Sequence, residues 1–521
     1  MPWVGAIFRT IPYQAAAVEL DARSAPEGTT LSADVCIVGA GPVGLSLAYE
    51  LQATGAQVLL LESGGYHTEA QVEELDAGEV SGDPYQDLRL SRCRRIGGTA
   101  AIWNTRFNEA AYAKYVPLDE IDFERRDWIA SSGWPFQRAE LDPYYRRAHS
   151  VCGLGPFDYS GTAWSDEQHH MLSFGRAGLT SGVYLYGPAE RFTHALPRAL
   201  AAASGALLVH GATVTELCRA AEGGIREIRW ASLTGRRGTA RASNFVLAGG
   251  GIENPRLLLL SGIRSRWLGC GFMEHPIDSS LELDARASEL TPGPGFYSLL
   301  VRQTALPAFG RIGLSAELLR SEKLRNASLR LSLDEEPRLL QSDRLRPAAR
   351  RAVPYPPLRR AIGRTIRSAG RLAGRFRATR YRVLIDLEQG PHPENRIFLT
   401  ERQDALGRPQ ASLHWRWRRE DQTNLERLRV LVARELERAG AGKVRVIGEQ
   451  APDPNAHHHA GTTRMHPDPE RGVVDEQLRF HGIENLFVAG ASVFPTAGFA
   501  NPTLTSIALA LRLADHLAMK R

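Results

Sequence analysis

The sequence is short of cysteine. Its 521 residues include five cysteines, without a Cys-x-x-Cys pair, and the last of them is Cys270. An odd, scattered set of this kind argues against a disulfide framework and against a zinc ribbon. It is typical of a protein from a reducing compartment, so we expect a cytoplasmic location.

Long apolar runs are lacking as well. The sequence contains no stretch that approaches the ~18 uninterrupted apolar residues of a transmembrane helix. Near the N-terminus, Arg9 follows a short apolar stretch, whereas a secretory signal has its basic residues first. The pattern therefore predicts neither a membrane span nor a secretory signal, and export together with another protein stays open.

The positive charge is small in sum but concentrated in one place. Lys and Arg number 64 against 58 Asp and Glu, a net charge of +6. Residues 344–380 hold twelve arginines and no acid, with apolar residues at near-helical spacing. This predicts a basic amphipathic helix, which either packs on the protein or binds an anionic partner or a membrane surface. Because no aromatic platform accompanies the arginines, we expect no nucleic-acid partner.

A segment near the N-terminus predicts a complete β-α-β unit. Residues 35–38 form a wholly apolar run, as in a strand that is buried on both faces of a parallel sheet. A helical pattern follows over residues 45–54 and a second apolar strand over residues 58–61. Similar runs are far apart in sequence, so this domain is assembled from separated segments; the runs cover residues 207–210, 245–248 and 486–489.

The loop inside this unit has the dinucleotide-binding pattern G-x-G-x-x-G. Gly39 permits the tight turn, Gly41 lets the backbone approach a pyrophosphate, and Gly44 lets helix and strand pack closely. The phosphates then lie on the amide groups at the N-terminus of the helix. Glu62 ends the next strand and is placed to accept hydrogen bonds from ribose hydroxyls. The loop by itself does not choose between FAD and NAD.

The middle of the chain has a different pattern. Polar and apolar residues alternate around Leu281 and over several later stretches, which is the period of an antiparallel sheet with one covered face; the stretches are 297–304, 328–333, 381–387, 396–400 and 412–417. We therefore predict two fold classes in one chain. One is an α/β domain with a parallel sheet, and the other is an α+β domain on a mainly antiparallel sheet flanked by helices.

Four regions of the chain together resemble a known family. They are the β-α-β unit, Arg95-Ile96-Gly97-Gly98-Thr99, the stretch from Val246 to Pro276, and, most specific, the stretch from His458 to Thr505. The chain resembles the glucose–methanol–choline (GMC) oxidoreductases, FAD-dependent alcohol oxidases and dehydrogenases, from about Ala33 to the C-terminus. The last region looks closest to the branch that holds pyranose oxidases and related sugar and glycoside oxidoreductases.

The resemblance implies a division into two domains. A Rossmann-type FAD-binding domain is expected over residues 30–110, 190–275 and 455–521. A substrate-binding domain is expected over residues 111–189 and 276–454, with the basic segment 344–380 as an insertion.

The resemblance also implies further contacts to FAD, beyond Gly39, Gly41, Gly44 and Glu62. They are expected from Gly97, Gly98, Thr99, Ile102, Trp103, Ala248, Gly490, Ala491, Pro502 and Thr503. Many members of the family attach the flavin covalently through a histidine after the Gly-Gly pair. Here Ile102 or Trp103 takes that place, and neither side chain can form the bond. We therefore expect FAD to be bound non-covalently.

Alcohol oxidation needs a group that takes the hydroxyl proton, and a neutral imidazole suits this role. By resemblance, His458 is the expected base and Asn501 the expected partner that holds the alcohol oxygen. His457 and His459 are adjacent, so spacing alone leaves either of them open as the base. Glu274 and His275 are interpreted as structural. The sequence shows no cluster at metal-ligand spacing, and we expect no metal.

The predicted function is FAD-dependent oxidation of a small-molecule alcohol to a carbonyl. The expected substrate is a sugar, glycoside or polyol, and oxygen or another electron acceptor takes up the electrons. A non-sugar alcohol stays open as substrate. Three other functions also stay open: a redox-silent flavin lyase, a flavin monooxygenase, and a non-enzymatic flavoprotein whose arginine-rich segment binds a membrane or an acidic partner.

Overall fold

Strands from distant parts of the chain form three sheets in the computed structural model. It describes residues 19–519 apart from 104, 108–109, 176–177, 204, 286–289, 291–294, 301–305, 334–379 and 449–450. The predicted basic helix at 344–380 falls outside the described residues up to residue 379.

The strands are β1 (Glu19–Asp21), β2 (Thr29–Val38), β3 (Val58–Leu61), β4 (Gly78–Gly82), β5 (Thr105–Phe107), β6 (Ala110–Tyr115), β7 (Leu179–Pro188), β8 (Ala206–His210), β9 (Thr213–Arg219), β10 (Ile225–Ala231), β11 (Arg237–Leu247), β12 (Ile277–Asp284), β13 (Leu299–Leu300), β14 (Ala308–Leu314), β15 (Ala327–Leu333), β16 (Arg380–Leu387), β17 (Arg396–Gln403), β18 (Pro409–Trp415), β19 (Lys443–Val446) and β20 (Leu486–Val488). The α-helices are α1 (Pro42–Ala53), α2 (Ala70–Glu73), α3 (Glu120–Phe123), α4 (Asp142–Cys152), α5 (Gly161–Trp164), α6 (Leu196–Ala201), α7 (Gly250–Leu260), α8 (Ala316–Ser321), α9 (Arg419–Arg438) and α10 (Thr503–Met519).

The first sheet, the flavin sheet, is mainly parallel. Its strands run in the order β1-β8-β3-β2-β11-β10-β9, and β20 pairs with the end of β11. The apolar runs of β2, β3 and β20 are buried because helices cover the sheet, among them α1, which packs against α10. The prediction of a parallel sheet from separated segments is confirmed. An antiparallel meander of β9, β10 and β11 extends it.

The second sheet, the substrate sheet, is antiparallel. Its order is β19-β12-β16-β15-β14-β7-β6-β5, with β13 beside β14. Helix α9 buries Leu425, Leu428, Val432 and Leu436, which recur at the spacing of one helix face, in the same apolar core as this sheet. The predicted stretches around residue 281 and over 328–333 and 381–387 are strands β12, β15 and β16, so the prediction of a mainly antiparallel sheet is confirmed.

The third sheet is small and has the order β17-β18-β4. It contains the predicted stretches 396–400 and 412–417, which therefore belong to neither large sheet. Strand β4 comes from the first hundred residues and runs parallel to β18. Its residues thus join an N-terminal segment to the second half of the chain.

The strands depart from the predicted domain limits at two places. Strand β1 lies before residue 30 and pairs with β8 at the edge of the flavin sheet. Strand β5 lies before residue 110 but belongs to the substrate sheet, because it forms a hairpin with β6, which pairs with β7. In the described part of the chain, no helix has the length and apolar composition of a membrane span.

Candidate active site

The glycine loop between β2 and α1 is built as its sequence requires. Gly39 has a φ of +104°, a conformation that side chains disfavour. A Cβ on Gly44 would lie 1.9 Å from the carbonyl oxygen of Gly39, so this position must be glycine for helix and strand to meet. A Cβ on Gly41 would meet nothing within 4 Å. Gly41 therefore leaves free space at the N-terminus of α1, where a pyrophosphate binds in such loops.

Glu62 lies beside this loop at the carboxyl end of β3. Its carboxylate accepts the backbone N–H of Ala40 at 2.9 Å and that of Gly64 at 3.0 Å. Burial is the main cause that raises the pKa of Glu62 to about 7. Each carboxylate oxygen retains a lone pair, so the group is placed to accept from a ribose hydroxyl as predicted.

A cavity of about 820 Å³ runs between the flavin sheet and the substrate sheet. All predicted site residues line it except Gly44 and Gly97, which pack behind the wall. We call the part around Gly39, Gly41 and Glu62 the dinucleotide end, and the part around His458 and Asn501 the reaction end. The free space at Gly41 and the carboxylate of Glu62 fit FAD, which needs room for a pyrophosphate and an acceptor for ribose.

The predicted flavin contacts after the Gly-Gly pair lie between the two ends. Residues Gly98–Ile102 form a 3₁₀ turn, and Gly97 and Gly98 have positive φ values that permit it. Ile102 is 40% exposed, and Trp103 packs edge-on against Tyr115 and Phe192. Both side chains line the cavity.

At the reaction end, three side chains from three separate segments form a hydrogen-bonded chain. The amide Nδ2 of Asn501 lies 2.7 Å from Nε2 of His458, and Nδ1 of His458 lies 2.9 Å from Nδ1 of His275. Nε2 of His275 lies 3.2 Å from the carbonyl oxygen of Ala497. These contacts bring together the predicted pair, His458 and Asn501, and add His275.

The carbonyl of Ala497 decides where the protons lie in this chain. A carbonyl only accepts, so His275 carries its proton on Nε2 and leaves Nδ1 as an acceptor. His458 then donates from Nδ1. Its Nε2 carries no proton and accepts from Nδ2 of Asn501. The tautomer thus inferred presents an unprotonated Nε2 to the cavity, as a general base requires.

Burial keeps both imidazoles neutral. It lowers the pKa of His275 to about 4 and that of His458 well below the usual 6.5. Nearby Lys114 lowers both pKa values further, while Asp386 opposes this shift. His458 is therefore unprotonated at neutral pH. The Oδ1 atom of Asn501 is buried and has no hydrogen-bond partner among the described residues.

The neighbouring histidines have other partners. His457 lies against the amide of Gln86 and has a φ of +61°, which is unusual for a residue other than glycine. His459 lies 3.0 Å from the hydroxyl of Tyr85. Of the three, His458 is the one that contacts Asn501, so the geometry favours it as the base.

Glu274 supports this arrangement from behind. One carboxylate oxygen accepts the backbone N–H of His458 at 2.9 Å, and the other accepts the hydroxyl of Tyr85 at 2.6 Å. Its structural interpretation therefore agrees with its contacts. His275, also interpreted as structural, touches the candidate base directly. Spacing carried no signal for it, since the two histidines are 183 positions apart.

Sequence reasoning missed a charged group at the reaction end. Lys114, Arg330 and Asp386 line the cavity from strands β6, β15 and β16. Within the described residues, no group of three or more His, Cys, Asp or Glu side chains is arranged to hold a metal ion.

Comparison with known proteins identifies the architecture. Residues 34–264 match the model of the FAD dependent oxidoreductases, and residues 391–510 match that of the GMC oxidoreductases. The chain therefore carries an FAD oxidoreductase domain and a C-terminal GMC oxidoreductase domain. The two matches cover the glycine loop and the His458–Asn501 pair, so both ends of the cavity lie inside recognised domains.

Individual relatives differ in how much of the chain they cover. The 6'''-hydroxyparomomycin C oxidase of Streptomyces lividus is 34% identical, over 28% of this chain and 27% of its own length. The fructose dehydrogenase large subunit of Gluconobacter japonicus is 25% identical over 94% of this chain and 98% of its own. Among solved structures, pyridoxine 4-oxidase from Mesorbium loti superposes with a TM-score of 0.51 at 16% identity, over 93% of this chain and 98% of that one, and so shares the fold.

Proposed function

We propose that this protein oxidises a hydroxyl group of a sugar, glycoside or polyol to a carbonyl. The observation that carries the proposal is the contact between Nε2 of His458 and Nδ2 of Asn501, 2.7 Å apart in the cavity wall. An alcohol oxygen that comes between these two atoms would meet a proton acceptor and a hydrogen-bond donor, which are what it needs as it loses its proton. Relatives named as paromamine 6'-oxidase and pyranose 2-oxidase support this substrate class.

FAD, when bound in this cavity, supplies the acceptor for the hydride of the alcohol carbon. The residues of the chain handle the proton. The substrate hydroxyl displaces Asn501 Nδ2 from His458 Nε2, which then accepts the hydroxyl proton. Asn501 donates from Nδ2 to the same oxygen and stabilises the negative charge that develops there. His275 accepts from His458 Nδ1 throughout, and so holds the ring and its tautomer.

The deciding experiment is an anaerobic titration of the purified protein with sugars, glycosides and polyols, followed by the visible flavin absorption. We expect one class to bleach the flavin band. The His458→Ala variant should keep its yellow colour and bleach far more slowly. If no alcohol bleaches the wild-type protein, the proposal is wrong. Admitting air to the reduced protein then distinguishes oxygen from another electron acceptor.

We further propose that FAD is held without a covalent bond. Ile102 and Trp103 line the cavity where the family places its attaching histidine, and neither side chain forms such a bond. Denaturation with acid should release all of the flavin into the supernatant. Flavin that stays with the precipitated protein would contradict this.

A further inference from the structure

A buried charged group faces the cavity at the reaction end. The carboxylate of Asp386 accepts from Lys114 Nζ at 3.0 Å, from Arg330 Nη2 at 2.9 Å and from the Tyr184 hydroxyl at 3.0 Å. The Asp386 side chain is 5% exposed, that of Lys114 15% and that of Arg330 23%. Strands β16, β6, β15 and β7 of the substrate sheet supply these four residues.

The cations in this group outnumber the carboxylate. Lys114 and Arg330 share the single carboxylate of Asp386, and the neutral rings of His275 and His458 add no charge. Arg311 lies behind them, over the rings of Phe499 and Tyr184, with its nearest carboxylate, that of Asp119, 3.9 Å away. Among the described residues, this wall therefore carries a surplus positive charge in a place where charge is costly to leave uncompensated.

Both cations also have hydrogen-bond donors to spare. Lys114 has three N–H groups, of which one meets Asp386. Arg330 uses Nε and Nη2 on Asp386, which leaves Nη1 for another acceptor. Lys114 Nζ also lies 4.4 Å above the Tyr184 ring, but within the described residues the one hydrogen-bond acceptor of both side chains is Asp386. A ligand anion would supply both the missing acceptor and the missing charge.

We propose that the substrate of this enzyme is an anionic sugar or polyol, whose carboxylate or phosphate binds Lys114 and Arg330 while its reacting hydroxyl meets His458 and Asn501. This inference rests on the proposed function. Lys114, Arg330, His458 and Asn501 line the same cavity, so one small molecule can contact both pairs of side chains. A carboxylate and a phosphate both supply the required negative charge, and the ligands in the test below distinguish between the two.

The charge of Lys114 also predicts how this preference depends on pH. Burial, assisted by Arg330 and Arg311 and opposed by Asp386, lowers the pKa of Lys114 to about 8. Tyr184 and Tyr186 stay protonated because burial raises the pKa of both, and His275 and His458 stay neutral because burial lowers theirs. As the pH rises through about 8, the wall loses one positive charge, and the preference for an anionic ligand should fall.

The test compares ligands of one shape and different charge on the FAD-loaded enzyme. D-glucose, D-glucuronate, D-glucose 6-phosphate and D-glucosamine are titrated at about pH 7, and their dissociation constants are taken from the perturbation of the oxidised flavin spectrum. We expect at least one acid to bind about tenfold or more tightly than glucose, and glucosamine to bind most weakly. The acid that binds more tightly tells carboxylate from phosphate.

Two variants locate the effect. Lys114→Met and Arg330→Met should each weaken binding of the preferred acid by about tenfold more than they weaken binding of glucose. Lys323→Met is the matched control, because Lys323 is 62% exposed and lies on the surface. The ligand series on the wild-type protein decides the question even if a variant does not fold.

The outcomes separate this inference from the proposed function. If neither acid binds, if both bind no more tightly than glucose, or if the preference survives in both variants, the anionic substrate is wrong. If neutral sugars then bleach the flavin, alcohol oxidation stands without it. If the acids show the expected preference but no alcohol bleaches the flavin, the anion site stands and the proposed oxidation falls.

Discussion

The dinucleotide end and the reaction end of the cavity are built in opposite ways. At the dinucleotide end, the backbone forms the site, because Gly39, Gly41 and Gly44 lie in one loop and leave space by lacking side chains. At the reaction end, side chains form the site. His275 and His458 meet there from segments 183 positions apart, and Asn501 comes from a third.

This difference separates two kinds of sensitivity. A change at the dinucleotide end acts on packing at Gly44, where an added Cβ meets the backbone, and on cofactor binding at Gly41, where it enters the free space of the cavity. A change at the reaction end acts on proton transfer, because the fold there does not depend on one imidazole. Variants at the two ends should therefore fail in different measurements.

The largest effect is expected inside the glycine loop. Gly44→Ala places a Cβ 1.9 Å from the carbonyl oxygen of Gly39 and should lower the free energy of unfolding by about 3 kcal/mol, with loss of FAD. Gly41→Ala is the matched variant. Its Cβ meets no protein atom within 4 Å and its φ is −75°, so the apoprotein should keep its urea midpoint and bind FAD more weakly. Equal urea midpoints for the two variants would show that Gly44 and Gly41 do not differ in their importance for packing.

At the reaction end, His458→Ala should leave FAD binding and the urea midpoint unchanged. It should slow anaerobic flavin reduction by about 10²–10⁴-fold, because the hydroxyl proton loses its acceptor. His457→Asn is the control, since Asn tolerates the positive φ at this position. That variant should stay within about threefold of the wild-type rate. A larger loss in His457→Asn than in His458→Ala would move the base to the neighbouring residue.

A smaller effect is expected at His275, which acts through His458. His275→Leu removes the acceptor for the Nδ1 proton of His458 and should slow flavin reduction by about 10–100-fold with FAD retained. His275→Asn places a carbonyl oxygen near the former Nδ1 and should restore a good part of the rate. Rescue by Asn, which a merely space-filling role would not produce, is the critical readout. Equal rates in the Leu and Asn variants would contradict the positioning role.

The smallest effect is expected in the pH dependence of the flavin reduction rate, which should lack the decline near pH 6.5 that an unshifted histidine base would cause. A lowered pKa keeps His458 unprotonated as the pH falls, so the reduction rate should change by less than about twofold between about pH 7.5 and pH 6. The rate should decline only when the pH falls through the lowered pKa. Stopped-flow reduction across this range tests it. A half-maximal rate near pH 6.5 would show that burial does not shift the base.

The position of the strands could be predicted from the sequence pattern, but the pairing of some of them could not. The prediction of strand Val58–Leu61 matches β3 exactly in extent, because a buried parallel strand is an uninterrupted apolar run. The stretches 396–400 and 412–417 are predicted as strands, yet β17 and β18 pair with each other, and β18 with β4, in a separate sheet. Alternation of polar and apolar residues indicates that a segment is extended and has one buried face. It does not tell which strand lies beside it, because pairing partners are chosen by burial over the whole chain.

By itself, the sequence determined the glycine loop, Glu62 at the end of the next strand, and, through family motifs, His458 and Asn501. These features depend on backbone geometry over a few residues or on a motif kept whole. Only the tertiary structure decided that His275 contacts His458, and that Lys114, Arg330 and Asp386 share one wall. Their strands are up to 272 positions apart, and their contact depends on sheet order and register, which no local pattern records.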